Sequence, residues 1–322
     1  MRIASSRSLP QHATRQCQQK SLSFYYTDVN SSFHSINPNS FYQSFQPGVP
    51  ICIFVHGSYM NWEDIPVDSA SVRQWVQAAL PQQQTQIIYY TWHSQMSLTT
   101  VLPHIDTSLL GHKSAFNGLY LARMISQLPQ NCPITLIGHS FGCRTISSAL
   151  HLLGGGEMQG IRLQRANQSQ HRIRVLFTAA PVDHNWFNPN ERYSNALKRA
   201  EHIINLKTRK DWALSLYPFR RLFSRRSLGR RGWSKKDYIA MGELRHKISE
   251  YDVTCRIGTG HGWPFYAKQH DLARFLGKYI YFAEEQYDKE GEVSQQSLRQ
   301  RSTPVPLRPP LRENYVRIRS RH

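Results

Sequence analysis

The sequence predicts an α/β protein, a three-layer sandwich with a mostly parallel central sheet. Short apolar runs rich in β-branched and aromatic residues recur along the chain, mostly without polar alternation, as strands covered on both faces read. Segments with apolar residues at helical spacing separate them. The two kinds of segment alternate between residues 50 and 285, which calls for parallel neighbours joined by crossover helices.

Residues 50–56, Pro-Ile-Cys-Ile-Phe-Val-His, form the first clear strand and end at Gly57. Asp68 to Leu80 places Val72, Trp75, Val76 and Leu80 on one helical face, closed by Pro81. Gln86 to Trp92 is the next strand. Ser114 to Leu128 is an amphipathic helix carrying Phe116, Leu119, Leu121, Ile125 and Leu128. Pro133 to Gly138 is a strand followed at once by a helix from Cys143 to Leu153, which Gly154 to Gly156 cap. Residues 173–180 and 202–207 are strands, Tyr251 to Ile257 reads as the last strand, and Asp271 to Glu285 is the closing helix. Residues 1–49 form an N-terminal extension in which Leu22 to Tyr26 and the Phe-rich stretch 41–46 are expected to add edge strands. Residues 286–322, broken by Pro304, Pro306, Pro309 and Pro310, are expected to be a disordered basic tail.

The chain of 322 residues carries a formal charge of +19, which favours anionic partners. Much of that charge lies in the tail and in Arg220 to Lys236, where basic residues recur in pairs. No apolar run approaches the length of a membrane span, and no apolar stretch follows the basic N-terminus as in a secretory signal. Five cysteines without a C-x-x-C pair, with Cys52 and Cys255 in apolar patterns, read as buried reduced thiols and a cytoplasmic protein. There is no phosphate-binding loop, no zinc-spaced Cys/His cluster and no dinucleotide fingerprint, so no cofactor is expected.

The strongest motif is Gly138-His139-Ser140-Phe141-Gly142, a G-x-S-x-G pattern. The bare pattern recurs by chance in about one chain in fifteen of this length, so its context decides. An apolar strand enters it and a helix leaves it. So sharp a turn forces Ser140 into strained backbone geometry and projects it into solvent at the carboxyl edge of the sheet. Gly138 and Gly142 remove side chains that would clash across the turn. The helix start behind Ser140 offers free N–H groups to a developing oxyanion. Phe141 N–H is one candidate donor. Ser58 N–H, just after Gly57, is the other, with Gly57 allowing close approach of the backbone. His139 is expected to pack or hydrogen-bond locally.

A serine nucleophile needs a base, and the base needs an orienting carboxylate. Asp211 and Asp183 both follow strands at their carboxyl ends, where open α/β sheets meet ligands. Asp211 is favoured because its strand is the later one, and Asp183 remains the alternative. His261, in Gly258-Thr259-Gly260-His261-Gly262-Trp263, is favoured as base over His246 and His270, because glycines suit a loop that delivers an imidazole.

Ile-Phe-Val-His-Gly, then Tyr-Thr-Trp-His-Ser, then Leu-Ile-Gly-His-Ser-Phe-Gly resemble an α/β-hydrolase, in a branch of hydrolase-like proteins of unknown substrate. Ala-Ala-Pro-Val-Asp at 179–183 and Thr-Arg-Lys-Asp at 208–211 are similar to the same branch. The likeness spans about residues 50–285. It implies a triad of Ser140, Asp211 and His261. Trp92-His93-Ser94 departs from a Trp-Pro-Ser form, and the Arg-rich insert 218–236 has no counterpart.

The expected reaction is hydrolysis of a carboxylic ester or thioester, with a small-molecule, lipid-like or anionic substrate, through an acyl-enzyme. Segments 184–200 and 212–248 are candidate caps, with Trp186, Phe187, Trp212, Leu216, Tyr217, Phe219, Leu222 and Phe223 offering apolar surface. The rival reading is an inactive member of the fold that binds nucleic acid or an acidic membrane through the insert and tail. No recognition helix or RNA-binding motif supports a specific nucleic-acid partner. Weak binding to anionic surfaces fits either reading.

Overall fold

The computed structural model describes residues 1–14, 17, 20–27, 32–95, 103–163, 170–217 and 225–283, without the side chains of 103–107. The tail 286–322 and Phe219, Leu222 and Phe223 lie outside the described residues. The strands are β1 (Arg2–Ser5), β2 (Ser23–Thr27), β3 (Phe33–Ile36), β4 (Ile51–Val55), β5 (Gln86–Thr91), β6 (Ile134–His139), the short pair β7 (Glu157–Met158) and β8 (Ile161–Arg162), β9 (Ile173–Thr178), β10 (His202–Lys207) and β11 (Ile248–Asp252). The helices are α1 (Pro38–Gln43), α2 (Ile65–Ala79), α3 (Pro103–Gln127), α4 (Phe141–Leu153), α5 (Ala196–Arg199), α6 (Trp212–Ser215), α7 (Leu228–Arg231), α8 (Lys235–Met241), α9 (Thr254–Ile257), α10 (Trp263–Ala267) and α11 (His270–Ile280).

Among the described residues, nine strands form one sheet in the order β11-β10-β9-β6-β4-β5-β1-β2-β3. From β11 to β1 every pairing is parallel, and β2 and β3 close the far edge antiparallel. α3 packs on α4, and α2 packs on α11. The two pairs lie on opposite faces, as β4 shows. Ile51, Ile53 and Val55 join the apolar cluster with Phe116, Leu119, Ile146 and Leu150 of α3 and α4. Phe54, one residue out of phase, packs instead on Trp263, which also meets Trp75 of α2. Strands β4, β5 and β6 are buried along their whole length, so they read as unbroken apolar runs.

The N-terminal extension differs from the expectation. Residues 41–46 form no strand. Asn37 accepts the Asn39 N–H, Pro38 fills the first helical turn, and Phe41 lies buried on the resulting α1. Phe41 and Phe45, four apart, stack edge to face, a helical spacing mistaken for strand content. The strand after β2 is Phe33–Ile36 instead, and Arg2–Ser5 inserts between β2 and β5. The last strand is also displaced, to Ile248–Asp252. Asp252 accepts the Thr254 N–H and starts α9 where a strand was expected, and Cys255 on that helix is exposed rather than buried. Trp186 and Phe187 of the expected cap are buried against α4 and Tyr193 rather than spread over the site.

Candidate active site

The chain turns from β6 into α4 at a single residue. Ser140 adopts φ 50° and ψ −126°, a positive φ that a non-glycine residue holds only when its surroundings impose it. They do so through a hydrogen bond from Ser140 N–H to the Thr178 carbonyl of β9 and one from Cys143 N–H back to the Ser140 carbonyl. A Cβ on Gly142 would lie 2.0 Å from the Val55 carbonyl oxygen, and one on Gly138 would lie 2.9 Å from Cys143 Cα. Both glycines are therefore dictated by close approach.

Ser140 does not project into bulk solvent as the sequence suggested. Only 5% of the residue is accessible. The reason is crowding by the neighbouring loops. A Cβ on Gly57 would come within 2.9 Å of Ser140 Cβ, and His261 covers the other side, its Nε2 3.0 Å from Ser140 Oγ.

The His261 loop links β11 and α9 to α10. Its Nδ1 meets Asp211 Oδ2 at 2.8 Å. A carboxylate only accepts, so Nδ1 carries the proton and Nε2 is left to accept from Ser140. Asp211 is fully buried at the start of α6, and its second oxygen accepts the Leu214 N–H at 2.9 Å. Trp212 N–H bonds the Thr259 carbonyl, tying the acid's loop to the histidine's loop.

The structure thus brings Ser140, His261 and Asp211 into one relay. Asp183 stands apart from it: the Tyr217 hydroxyl donates to Asp183 Oδ1 at 2.5 Å, and Arg144 Nη2 donates to the same hydroxyl at 3.1 Å. Arg144 is buried, bonds the Pro181 carbonyl, and lies over the rings of Phe141 and Trp186. This cluster sews α4 to the loops after β9 and β10, and no local motif in the sequence announces it. His246 and His270 are exposed and away from the serine, on a 3₁₀ turn and at the start of α11.

His139 sits beneath His261, the ring centroids 5.8 Å apart, and its Nδ1 meets Thr178 Oγ at 3.1 Å. Burial, with the neighbouring His261 second, holds it well below the usual histidine range and hence neutral. Trp263 and Tyr266 complete the wall around it, and Trp263 Nε1 donates to Ser71 of α2.

On the other flank, His56 anchors the turn after β4. Its Nδ1–H donates to the Gly57 carbonyl at 2.7 Å, and its Nε2 accepts the Trp92 N–H at 3.2 Å. Burial, aided by Arg7, lowers its pKa to about 3. The neutral ring therefore fixes the orientation of the Gly57–Ser58 peptide. Among the described residues, Ser58 N–H and Phe141 N–H have no acceptor within the protein. Two cavities, of about 430 and 710 Å³, lie elsewhere and include neither Ser140 nor His261. Among the described residues no group of three or more His, Cys, Asp or Glu is arranged to hold a metal ion.

Residues 41–225 match the family described as alpha/beta hydrolase of unknown function (DUF900). The chain belongs to this family. The β6–Ser140–α4 turn falls inside the match and His261 falls beyond it. No curated protein matches the chain. Among solved structures, the chain is similar to the catalytic core domain of acetyl xylan esterase from Trichoderma reesei, at 12% identity over 79% of this chain and 96% of that one, TM-score 0.36. A thermophilic carboxylesterase from a metagenomic library overlaps at 10% identity over 74% and 83%, TM-score 0.34. A ferulic acid esterase overlaps at 12% over 80% and 96%, TM-score 0.33. Values this low transfer no chemistry.

Proposed function

We propose that this α/β-hydrolase is a serine hydrolase that cleaves a carboxylic ester or thioester through an acyl-enzyme. The observation that carries the reading is the unbroken chain of hydrogen bonds from Ser140 Oγ to His261 and on to Asp211. His261 Nε2 takes the hydroxyl proton as Ser140 Oγ bonds to the carbonyl carbon. Asp211 holds the tautomer and stabilises the imidazolium. The oxyanion is received by the N–H groups of Ser58 and Phe141. The imidazolium protonates the departing alcohol or thiol, and water, deprotonated by the same ring, releases the acid and restores Ser140.

The test is labelling with a fluorophosphonate probe together with turnover of p-nitrophenyl esters of graded chain length. Ser140→Ala should lose the label and about 10⁴-fold or more of turnover while keeping its melting temperature. Retained turnover in that variant, or an unlabelled wild-type protein, rejects the assignment.

A further inference from the structure

We infer that the rim of this site between the loop after β10 and the His261 loop is a docking surface for an anionic lipid layer, which presents the ester to Ser140. The substrate part of this inference rests on the serine-hydrolase reading above. The binding part does not.

The residue after the buried Asp211 is Trp212, 62% exposed, and one turn on is Leu216, 60% exposed. They lie four apart across α6 and so project from one face. Phe265, 51% exposed, stands over Gly260 at the neck of the His261 loop, where a Cβ would strike its ring. The Trp212 N–H bond to Thr259 joins the two loops, so the three side chains belong to one rim. Trp186, Phe187 and Trp263, by contrast, turn inward. A cluster left outward beside a deeply set hydroxyl marks a contact surface.

The charge around it identifies the partner. Lys210 lies two residues before Trp212, and the exposed Arg225 and Arg226 directly precede Ser227, which bridges to Asp183, the residue that Tyr217 joins to the Leu216 side. Arg230 reaches the Arg209 carbonyl from the same side. Among the described residues, Lys210, Arg225, Arg226 and Arg230 form no ion pair; of the carboxylates near them, Asp252 pairs with Arg209, Asp211 meets His261, and Asp183 accepts from Tyr217. The exposed Glu63 and Asp64 lie across the site, beyond β4. Indole and aliphatic groups seat at the headgroup–acyl boundary while guanidinium and ammonium groups meet lipid phosphates. A nucleic acid would satisfy the cations and leave Leu216 and Phe265 in water, so a lipid layer fits better. Among the described residues no helix is long and apolar enough to cross a membrane, and docking here is peripheral.

The experiment is co-sedimentation of Ser140→Ala protein with vesicles of phosphatidylcholine alone or of equimolar phosphatidylcholine and phosphatidylglycerol, with single-stranded RNA as competitor. Binding is expected to the mixed vesicles only. It should weaken about fivefold for each of Arg225→Gln and Arg226→Gln and about tenfold or more for Leu216→Ser. All three variants should keep the parent's melting temperature, since each side chain is exposed. Absence of binding to mixed vesicles, equal binding to neutral ones, RNA binding in its place, or insensitivity to Leu216→Ser overturns the inference. The wild-type esterase assay reads separately: hydrolysis of water-soluble esters without vesicle binding rejects the rim and leaves the serine hydrolase, and vesicle binding without hydrolysis does the reverse.

Discussion

Two connections leave the same edge of the sheet and are built in opposite ways. Between β6 and α4 the chain turns at Ser140 alone, every residue of α4 is buried, and glycine is required wherever backbones touch. Between β10 and β11 it wanders through α6, α7 and α8, leaving Trp212, Leu216 and Ile239 in solvent among many basic residues. The first connection is buried along its whole helix, whereas the second alternates buried anchors, among them Asp211, Leu214, Tyr217, Leu228, Trp233 and Met241, with exposed stretches. On the proposed function, Ser140 sits where little can change, Asp211 is a buried anchor of the freer connection, and the proposed docking side chains occupy its exposed parts.

That contrast can be broken by substitution, beginning with the strongest effect. Asp211→Asn should keep the loop folded but present the wrong tautomer of His261, lowering ester turnover about 10⁴-fold. If Asp183→Asn did this instead, the inward-reaching anchor would be misassigned. Gly142→Ala should cost about 3 kcal/mol or more, because its methyl group meets the Val55 carbonyl at the tightest point of the rigid connection. Denaturant unfolding measures it.

Acid should attack the rigid side of the site as well. His56 is held neutral by burial, down to about 3 against an ordinary 6.5, so on acidification the unfolded chain takes up a proton that the folded chain refuses. Its contribution to stability is complete above pH 6.5 and drains away below it, by about 2 kcal/mol near pH 5. His139 acts with the same sign. A stability profile flat from neutrality to pH 5 would contradict this. Asp183→Asn should leave turnover within about threefold while costing about 1–2 kcal/mol, through the Tyr217 hydroxyl. Trp212→Ala, at the exposed end of the comparison, should change unfolding free energy by less than about 0.5 kcal/mol.

The readability of the sequence follows the same division. Strands β4, β5, β6 and β9 and the turn at Ser140 were legible, since burial on both faces leaves continuous apolar runs and a sharp corner leaves glycines. His261 was legible through the glycines around it. Asp211 and Asp183 were harder to separate: each follows a strand, and they differ in long-range partners, His261 for Asp211 and Tyr217 for Asp183. Arg2–Ser5 is too short to announce itself, and its pairing with Tyr89 and Tyr90 is long-range. Arg144 reads locally as a surface cation on a helix, because the rings that enclose it come from distant segments.

The knot of Arg144, Tyr217 and Asp183 ties the segment bearing Asp211 to the helix behind Ser140. Separating the two pieces would take the Tyr217 hydroxyl from Arg144 and Asp183 at once. The two should therefore open as a single unit, and the Leu214 amide, though only one residue inside an exposed stretch, should exchange its hydrogen as slowly as those of α4.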